Sequence, residues 1–417
     1  MELGKRVFFY RNKKQLTQSE LSKGICSTTY LSKIENEKIN PSDEILELLC
    51  ERLGITVVQI QQDPDKLLSE HILKWYSNIK INDIKQMHED YKELREKVES
   101  IDLSVKALFK LFEFRYLIQT KQTNKIDKDK LNQYKELISI LEYQYRYYYY
   151  KFLGIYYYIN NQFKSSLEQF QKSKKILEEL EMEDPDLFYQ LSLVTSRLNN
   201  SPLSLIYAYK ALEGFQKKFN FQRCLECNLL LGINLNDMNN PGEAISLMKN
   251  VIENNNDNKV PQDFKSKILH NIGYSYFLLK DLDQAKSYFR RSLELKKNAS
   301  QQLNSFYMIS LLMILTKEKD VIKIYQHIES GIKLSRSVKN KVYEIKFFLL
   351  KYKTEEKVIS KEYISYLEKC VVPYFESKED KKFTSELFTE IAYYYQSIYQ
   401  YKKASFYFEK LLTLKTF

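Results

Sequence analysis

The sequence predicts an all-α chain, a small helical N-terminal domain followed by a long array of helical hairpins. Three observations lead there. Only nine glycines and seven prolines occur in 417 residues, too few for the turns of an all-β or alternating α/β architecture. Apolar residues recur at helical rather than strand spacing along the N-terminal region. Beyond residue 150, one set of small and aromatic residues returns at near-constant offsets. The length also exceeds what one ordinary core fills, so several domains or a repeat array are required.

The N-terminal helices come first. Val7, Leu16, Leu21, Ile25, Leu31, Ile34, Ile45, Leu48, Leu49 and Leu53 fall at helical spacing and form the candidate core. Thr17 with Glu20 three residues later makes a capping box, so a short helix starts there and stops at Gly24. Ser27 caps the next helix, "TTYLSKIEN", and Pro41-Ser42-Asp43 opens a further one. Two short helices across a glycine-containing turn, with a helix before and one after, make a helix-turn-helix domain over residues 1–63.

Charge supports an anionic partner for this domain. Residues 1–40 hold eight Lys/Arg against four Asp/Glu, and residues 41–66 reverse the balance with two against six. One side of the domain is therefore basic, within a chain of net charge +11. The start of the second motif helix enters the major groove in this arrangement. Thr28, Thr29, Ser32 and Lys33 are the candidates to read double-stranded DNA there. Gln18 suits a phosphate or a hand-off to a base, and Ser27 and Lys38 suit phosphates. Glu35 is expected in an ion pair inside the domain. Arg11, "LTQSEL" (16–21), "YLSKIEN" (30–36), Pro41 and "RLGI" (52–55) resemble the Cro/repressor, or XRE, class of helix-turn-helix. The turn between Leu21 and Leu31 is one residue shorter than in the phage repressors.

Residues 64–83 read as a linker helix beginning at the Pro64 break, and 84–142 as divergent leading helices. The repeats follow. Tyr150, Leu153, Gly154, Tyr157, Ser166, Phe170 and Ser173 share their offsets with Leu269, Ile272, Gly273, Tyr276, Ala285, Phe289 and Ser292. These offsets resemble the tetratricopeptide repeat, a pair of antiparallel helices in which the small residue allows close approach. The small position recurs at 154, 192, 232 and 273, in steps of 38, 40 and 41, and again at 392. Two fainter units are expected near 310 and 350. The resemblance implies a right-handed helical solenoid over residues 84–417.

Other chemistry finds little support. The tyrosine run "YQYRYYYYKFLGIYYY" (143–158) is expected to fill helix packing rather than stack on bases. "CLEC" (224–227) is a single CxxC without the second pair that zinc needs, so no metal and no cofactor are expected. No apolar run approaches a membrane span, charges from Glu2 onward argue against a signal peptide, and five cysteines do not make a disulfide framework. The chain reads as cytoplasmic and not an enzyme.

A helix-turn-helix domain ahead of such an array resembles the RRNPP regulators, in particular their PlcR- and NprR-type members. The resemblance implies a cytoplasmic quorum-sensing transcription regulator that binds a palindromic operator as a homodimer and a short signalling peptide in the concave groove. In the repeat register, Lys151, Tyr189, Asn236, Lys267, His270, Tyr274 and Tyr307 face inward, with Asn228 and Asn271 on adjoining edges. Asparagine pairs both the N–H and the C=O of an extended peptide. Lys151 and Lys267 suit a carboxylate and the tyrosines suit apolar side chains. Asn236 and Asn271 come first because they lie in the central repeats. Two alternatives remain open: an array that docks a response regulator, with a phosphatase-like action on it, and a thiol sensor built on Cys224 and Cys227.

Overall fold

The computed structural model describes residues 3–57, 60, 64–98, 103–253, 260–318, 320–355, 360–378 and 380–415. The expected domain boundary at residue 63 lies outside them. All regular structure among the described residues is helical. The chain divides into two compact units, Met1–Tyr156 and Tyr157–Phe417.

The first unit opens with α1 (Leu3–Lys13), α2 (Gln18–Ser22), α3 (Thr28–Glu35) and α4 (Asp43–Leu53). The Thr17–Glu20 capping box forms in both directions, and the Ser27 hydroxyl accepts the Tyr30 N–H. Gly54 ends α4 at φ +64°, a left-handed conformation that favours glycine. Val7, Leu21, Leu31, Ile34, Leu49 and Leu53 are buried together. Leu48 is not in this core; it is 46% exposed because its neighbour Leu49 takes the inward face of α4.

Next come α5 (Pro64–Ile81), α6 (Ile84–Val98) and α7 (Leu103–Gln119), each packed on the other two. Trp75 of α5 is fully buried, donates its Nε1–H to the Met87 carbonyl at 2.9 Å, and stacks on Tyr91 and Phe109. The helix expected as a linker thus packs Ile72, Trp75, Tyr76 and Ile79 as a member of a three-helix bundle. Helix α8 (Lys128–Ile140) packs on α7, and α9 (Tyr143–Ile159) carries the tyrosine run. Tyr147 and Tyr149 are buried in that run, and Tyr148 meets Tyr76 and Phe112 edge-on, which is the packing role expected.

The second unit holds α10 (Phe163–Glu179) and then hairpin after hairpin. The pairs are α11 (Pro185–Arg197) with α12 (Ser201–Lys217), α13 (Phe221–Asp237) with α14 (Pro241–Glu253), and α15 (Gln262–Leu278) with α16 (Leu282–Leu295). They continue as α17 (Ala299–Leu315) with α18 (Val321–Ser337), and α19 (Lys341–Thr354) with α20 (Lys361–Tyr366) and α21 (Val372–Ser377). The last pair is α22 (Lys381–Ser397) with α23 (Tyr401–Lys415). A π-helical stretch, Leu367–Val371, joins α20 to α21, where Pro373 has no N–H to continue the α pattern.

The small positions act as expected. A Cβ on Gly232 would lie 2.9 Å from Met248, and one on Gly273 would lie 3.0 Å from Phe289, each on the partner helix of its hairpin. Where serine stands instead, at 192, Ser192 and Ser204 each donate to the other's backbone carbonyl, at 2.8 and 2.7 Å. The two faint units exist. Their marker positions are the buried Ser310 and Leu350, and the leucine is why the pattern fades in sequence. Among the described residues no helix is long and apolar enough to cross a membrane.

Candidate DNA-binding face and ligand cleft

Helix α3 owes its position to one buried carboxylate. Glu35 accepts from Arg11 Nε at 2.6 Å and Nη2 at 3.0 Å, and from Gln18 Nε2 at 2.6 Å. Arg11 and Glu35 are both buried, so α1, the start of α2 and the end of α3 are pinned at one point. Arg52 of α4 caps the other end of α2 by donating to the Leu21 carbonyl at 3.2 Å and to the Lys23 carbonyl. Arg52 stands in the "RLGI" stretch of the resemblance, but its capping role is not legible in sequence because its partner lies 31 residues away.

On the outside of this frame Thr28, Thr29 and Lys33 are exposed on α3 and Ser32 is half-buried. Ser27 is exposed, and its oxygen accepts the Tyr30 N–H while its own proton remains to donate. Lys38 is exposed just past the helix. Gln18 is half-buried, with its amide nitrogen held by Glu35.

The second unit contains a cleft of about 620 Å3. Asn236 of α13 and Asn271 and Tyr274 of α15 line it, with Arg197 of α11 and Lys381 and Lys382 of α22. Lys382 Nζ sits 2.9 Å from Asp237 Oδ1 and 5.2 Å from the Tyr274 ring centre, so the last hairpin reaches the wall formed by the central ones.

Asn236 is only 5% exposed and its amide is incompletely paired. Its Oδ1 accepts from the Ser275 hydroxyl at 2.8 Å, and its Nδ2 is buried without a partner. Ser275 also lies within hydrogen-bond distance of the Asn271 carbonyl, at 3.0 Å, and has one proton to give. Turning the Asn236 amide over would let Nδ2 donate to Ser275 and Ser275 to Asn271. As placed, one end of a buried amide lacks a partner, which costs free energy unless something supplies one. Asn271 is half-buried and uses its Nδ2 on the Lys267 carbonyl at 2.8 Å.

A neighbouring hollow of about 380 Å3 holds Tyr189 and Lys267 and shares Leu193, Leu230 and Ile233 with the cleft. Lys267 pairs there with Asp263 at 2.8 Å, and the Arg223 guanidinium lies 4.5 Å from the Tyr189 ring centre. Five of the nine expected groove residues therefore line two contiguous hollows.

The other four are placed differently. Lys151 is 1% exposed on α9, with its ammonium over the Tyr147 ring, so burial removes it from any groove of the second unit. Asn228 turns back along its own helix to donate to the Cys224 carbonyl at 2.9 Å. His270 is taken into packing: Nδ1 is 2.9 Å from Ser305 Oγ, the ring lies against Phe289, and burial pushes its pKa down to about 3. Lys296, pushed down to about 8 by burial, donates to the same Ser305 and to Asn304, both at 2.7 Å. Tyr307 packs edge-on against Phe347 and Tyr343.

The thiols give a sensor little to work with. Cys227 is buried and burial pushes it up to about 12; Cys224 is raised for the same reason. A thiol that stays protonated is a poor nucleophile. Among the described residues no cluster of His, Cys, Asp or Glu is arranged to hold a metal.

The chain thus joins an XRE-type helix-turn-helix domain to a tetratricopeptide array that carries a partly unsatisfied cleft. Residues 9–60 match the helix-turn-helix family and residues 266–298, the α15–α16 hairpin, match the tetratricopeptide repeat. The transcriptional activator NprA of Geobacillus stearothermophilus is 29% identical over 397 residues, covering 92% of this chain and 96% of that protein. Response regulator aspartate phosphatase A of Bacillus subtilis (strain 168) is 22% identical over 375 residues, covering 84% of this chain and 95% of its own length. The apo form of the quorum sensor NprR from B. thuringiensis shares the fold, with a TM-score of 0.71 at 21% identity over 84% of this chain and 99% of that one. NprR in complex with its cognate peptide NprX does so at 0.67 and 20%, over 83% and 98%. Over nearly its whole length the chain is therefore similar to a transcriptional activator, and it shares its fold with the quorum sensor NprR.

Proposed function

We propose that this protein is a cytoplasmic, peptide-responsive transcription regulator that binds a palindromic operator as a homodimer. A short extended peptide occupies the cleft and pairs its backbone with Asn236 and Asn271, with Tyr274 beside them. The observation that carries this reading is the Asn236 amide, whose buried Nδ2 has no partner. A peptide backbone offers both a donor and an acceptor and satisfies either orientation. The relatedness to NprA and the fold shared with NprR, which is known in complex with a peptide, support it.

On DNA, Thr28, Thr29, Ser32 and Lys33 read bases, and Gln18, Ser27 and Lys38 fix the domain on phosphates. One module makes too few contacts for useful specificity, so two copies on two half-sites are needed. The pairing face is the last hairpin, where Tyr393, Tyr399, Tyr401, Phe406 and Leu412 are between 51% and 79% exposed. A peptide that binds one arrangement of the array more tightly shifts the population toward it, and with it the half-site spacing the dimer spans.

The test is capture on the immobilised full chain from culture medium and lysate, with mass spectrometry of what is retained, followed by calorimetry on wild type and on Asn236→Ala and Asn271→Ala. Recovery of a short peptide whose binding both variants weaken supports the reading; wild-type affinity in both variants refutes it. A second reading, docking of a response regulator, is favoured by the relatedness to phosphatase A. Recovery of such a regulator in place of a peptide would decide for it.

A further inference from the structure

A second hollow, of about 470 Å3, lies where α10 and the end of α11 meet the last two hairpins. Its walls are Phe163, Leu198, Phe375 and Leu414, and Thr384 and Lys381 also line it. Phe163 and Lys381 line the large cleft as well, so the two spaces adjoin.

Thr384 is what sets this hollow apart. It is 1% exposed and its hydroxyl has no hydrogen-bond partner. Helical threonines ordinarily donate to the carbonyl four residues back, and Thr195, Thr316, Thr354 and Thr389 do so here, at 2.7 to 2.9 Å. Thr384 could use the Asp380 carbonyl in the same way but leaves it to its own backbone N–H, at 2.9 Å. A buried hydroxyl that forgoes this bond and finds no other is held in an unfavourable state. Gln162, Lys164 and Glu376 complete the lining as exposed polar residues, and four apolar walls beside a buried unpaired hydroxyl suit an apolar group flanked by a hydrogen-bonding atom.

We infer that this hollow is the anchor pocket for an aliphatic or aromatic side chain of the peptide, with the Thr384 hydroxyl donating to the backbone carbonyl beside it. The inference rests on the peptide reading of the adjoining cleft. The occupant follows from continuity: a chain paired with Asn236 and Asn271 and running past Phe163 and Lys381 delivers its next side chain here. Its apolar character follows from the four walls.

The test is affinity selection on the immobilised full chain from a library of heptapeptides randomised at every position, read by mass spectrometry. Wild type should retain peptides sharing a Leu, Ile, Val, Met or Phe at one fixed position. The isosteric Thr384→Val should retain the same peptides about fivefold less well, with a melting temperature at or above wild type because an unpaired buried hydroxyl is gone. Ser165→Phe, which fills the hollow from its half-exposed rim, should erase the preference at that position and keep those at the others. Retained peptides with no apolar preference, or a preference undiminished in both variants, would overturn the anchor pocket and leave the peptide reading standing. A wild-type chain that retains no peptide would overturn both.

Discussion

Asn236→Leu separates what the Asn236 amide does for folding from what it does for binding. Leucine has nearly the shape of asparagine and no polar atoms. The change removes the bond from Ser275, and Ser275 keeps the Asn271 carbonyl as acceptor at 3.0 Å. One net hydrogen bond is worth about 0.5–1.5 kcal/mol, whereas a stranded buried polar atom costs about 1–3 kcal/mol. Without peptide the variant should therefore lie between about 0.5 kcal/mol less and about 2.5 kcal/mol more stable. With peptide the order reverses. Losing the pairing should weaken binding by about 1–3 kcal/mol, roughly five- to 150-fold. Urea midpoints at constant slope, with and without the captured peptide, read both effects. A variant destabilised by more than about 1 kcal/mol without ligand would show that the amide is satisfied in the free protein. The reasoning for the cleft would then fail.

The remaining predictions concern both units. Thr29→Ala should lose about 1–3 kcal/mol of discrimination between operator and random duplex, whereas Lys38→Ala should weaken both equally and flatten the salt dependence; fluorescence anisotropy separates the two. Glu35→Ala leaves Arg11 buried without its anion and should cost about 3 kcal/mol, read in thermal or denaturant melts. His270 and His327 are pushed down to about 3 and about 4 by burial, while an unfolded chain titrates near the usual histidine value of about 6.5. As pH falls the unfolded chain takes up protons first, so stability present above about pH 6.5 is lost toward pH 4, by up to about 1.4 kcal/mol per unit for each histidine. The double variant His270→Gln, His327→Gln should flatten the fall in melting temperature between pH 7 and pH 5. Tyr401→Glu with Leu412→Lys should give monomer in light scattering where wild type gives dimer. These point changes are cleaner than truncation, because Phe383, Leu387, Phe388 and Ile391 are part of the core that buries Tyr363 and Phe375.

What the sequence made legible follows the range of the interactions. The capping box, the Ser27 cap and the glycine slots are local, and each is visible within a few residues. An ion pair inside the domain was expected for Glu35, but its partner Arg11, 24 residues away, was not legible. Asn236 and Asn271, read from the repeat register, both line the cleft. The register failed at its margins. Lys151 lies on α9, where the array passes into the first compact unit, and a position facing inward elsewhere is buried there. Asn228, His270 and Tyr307 were assigned correctly to first helices, but each found a nearer partner in Cys224, Ser305 and Phe347. Lys382 and Thr384 had no local signal at all. Lys382 meets Asp237 across 145 residues of chain, and no periodicity reveals which distant hairpin will arrive opposite.

That long-range meeting sets a tolerance on every hairpin between. In an open stack each repeat senses only its neighbours. Here residues 162–165 and Phe375, Thr384 and Leu414 border a single hollow, so the ends must arrive in register. The ion pair does not draw them together. An exposed pair is worth at most about 1 kcal/mol, and closing a loop of that length costs about 4 kcal/mol in entropy. The ends meet because the small rotation between successive hairpins adds up to the right total. The hollow at the join works like a vernier, where an error of a few degrees at one interface becomes a displacement of whole side chains. A one-residue insertion in any connecting turn should therefore be felt at Thr384, however far away it is made.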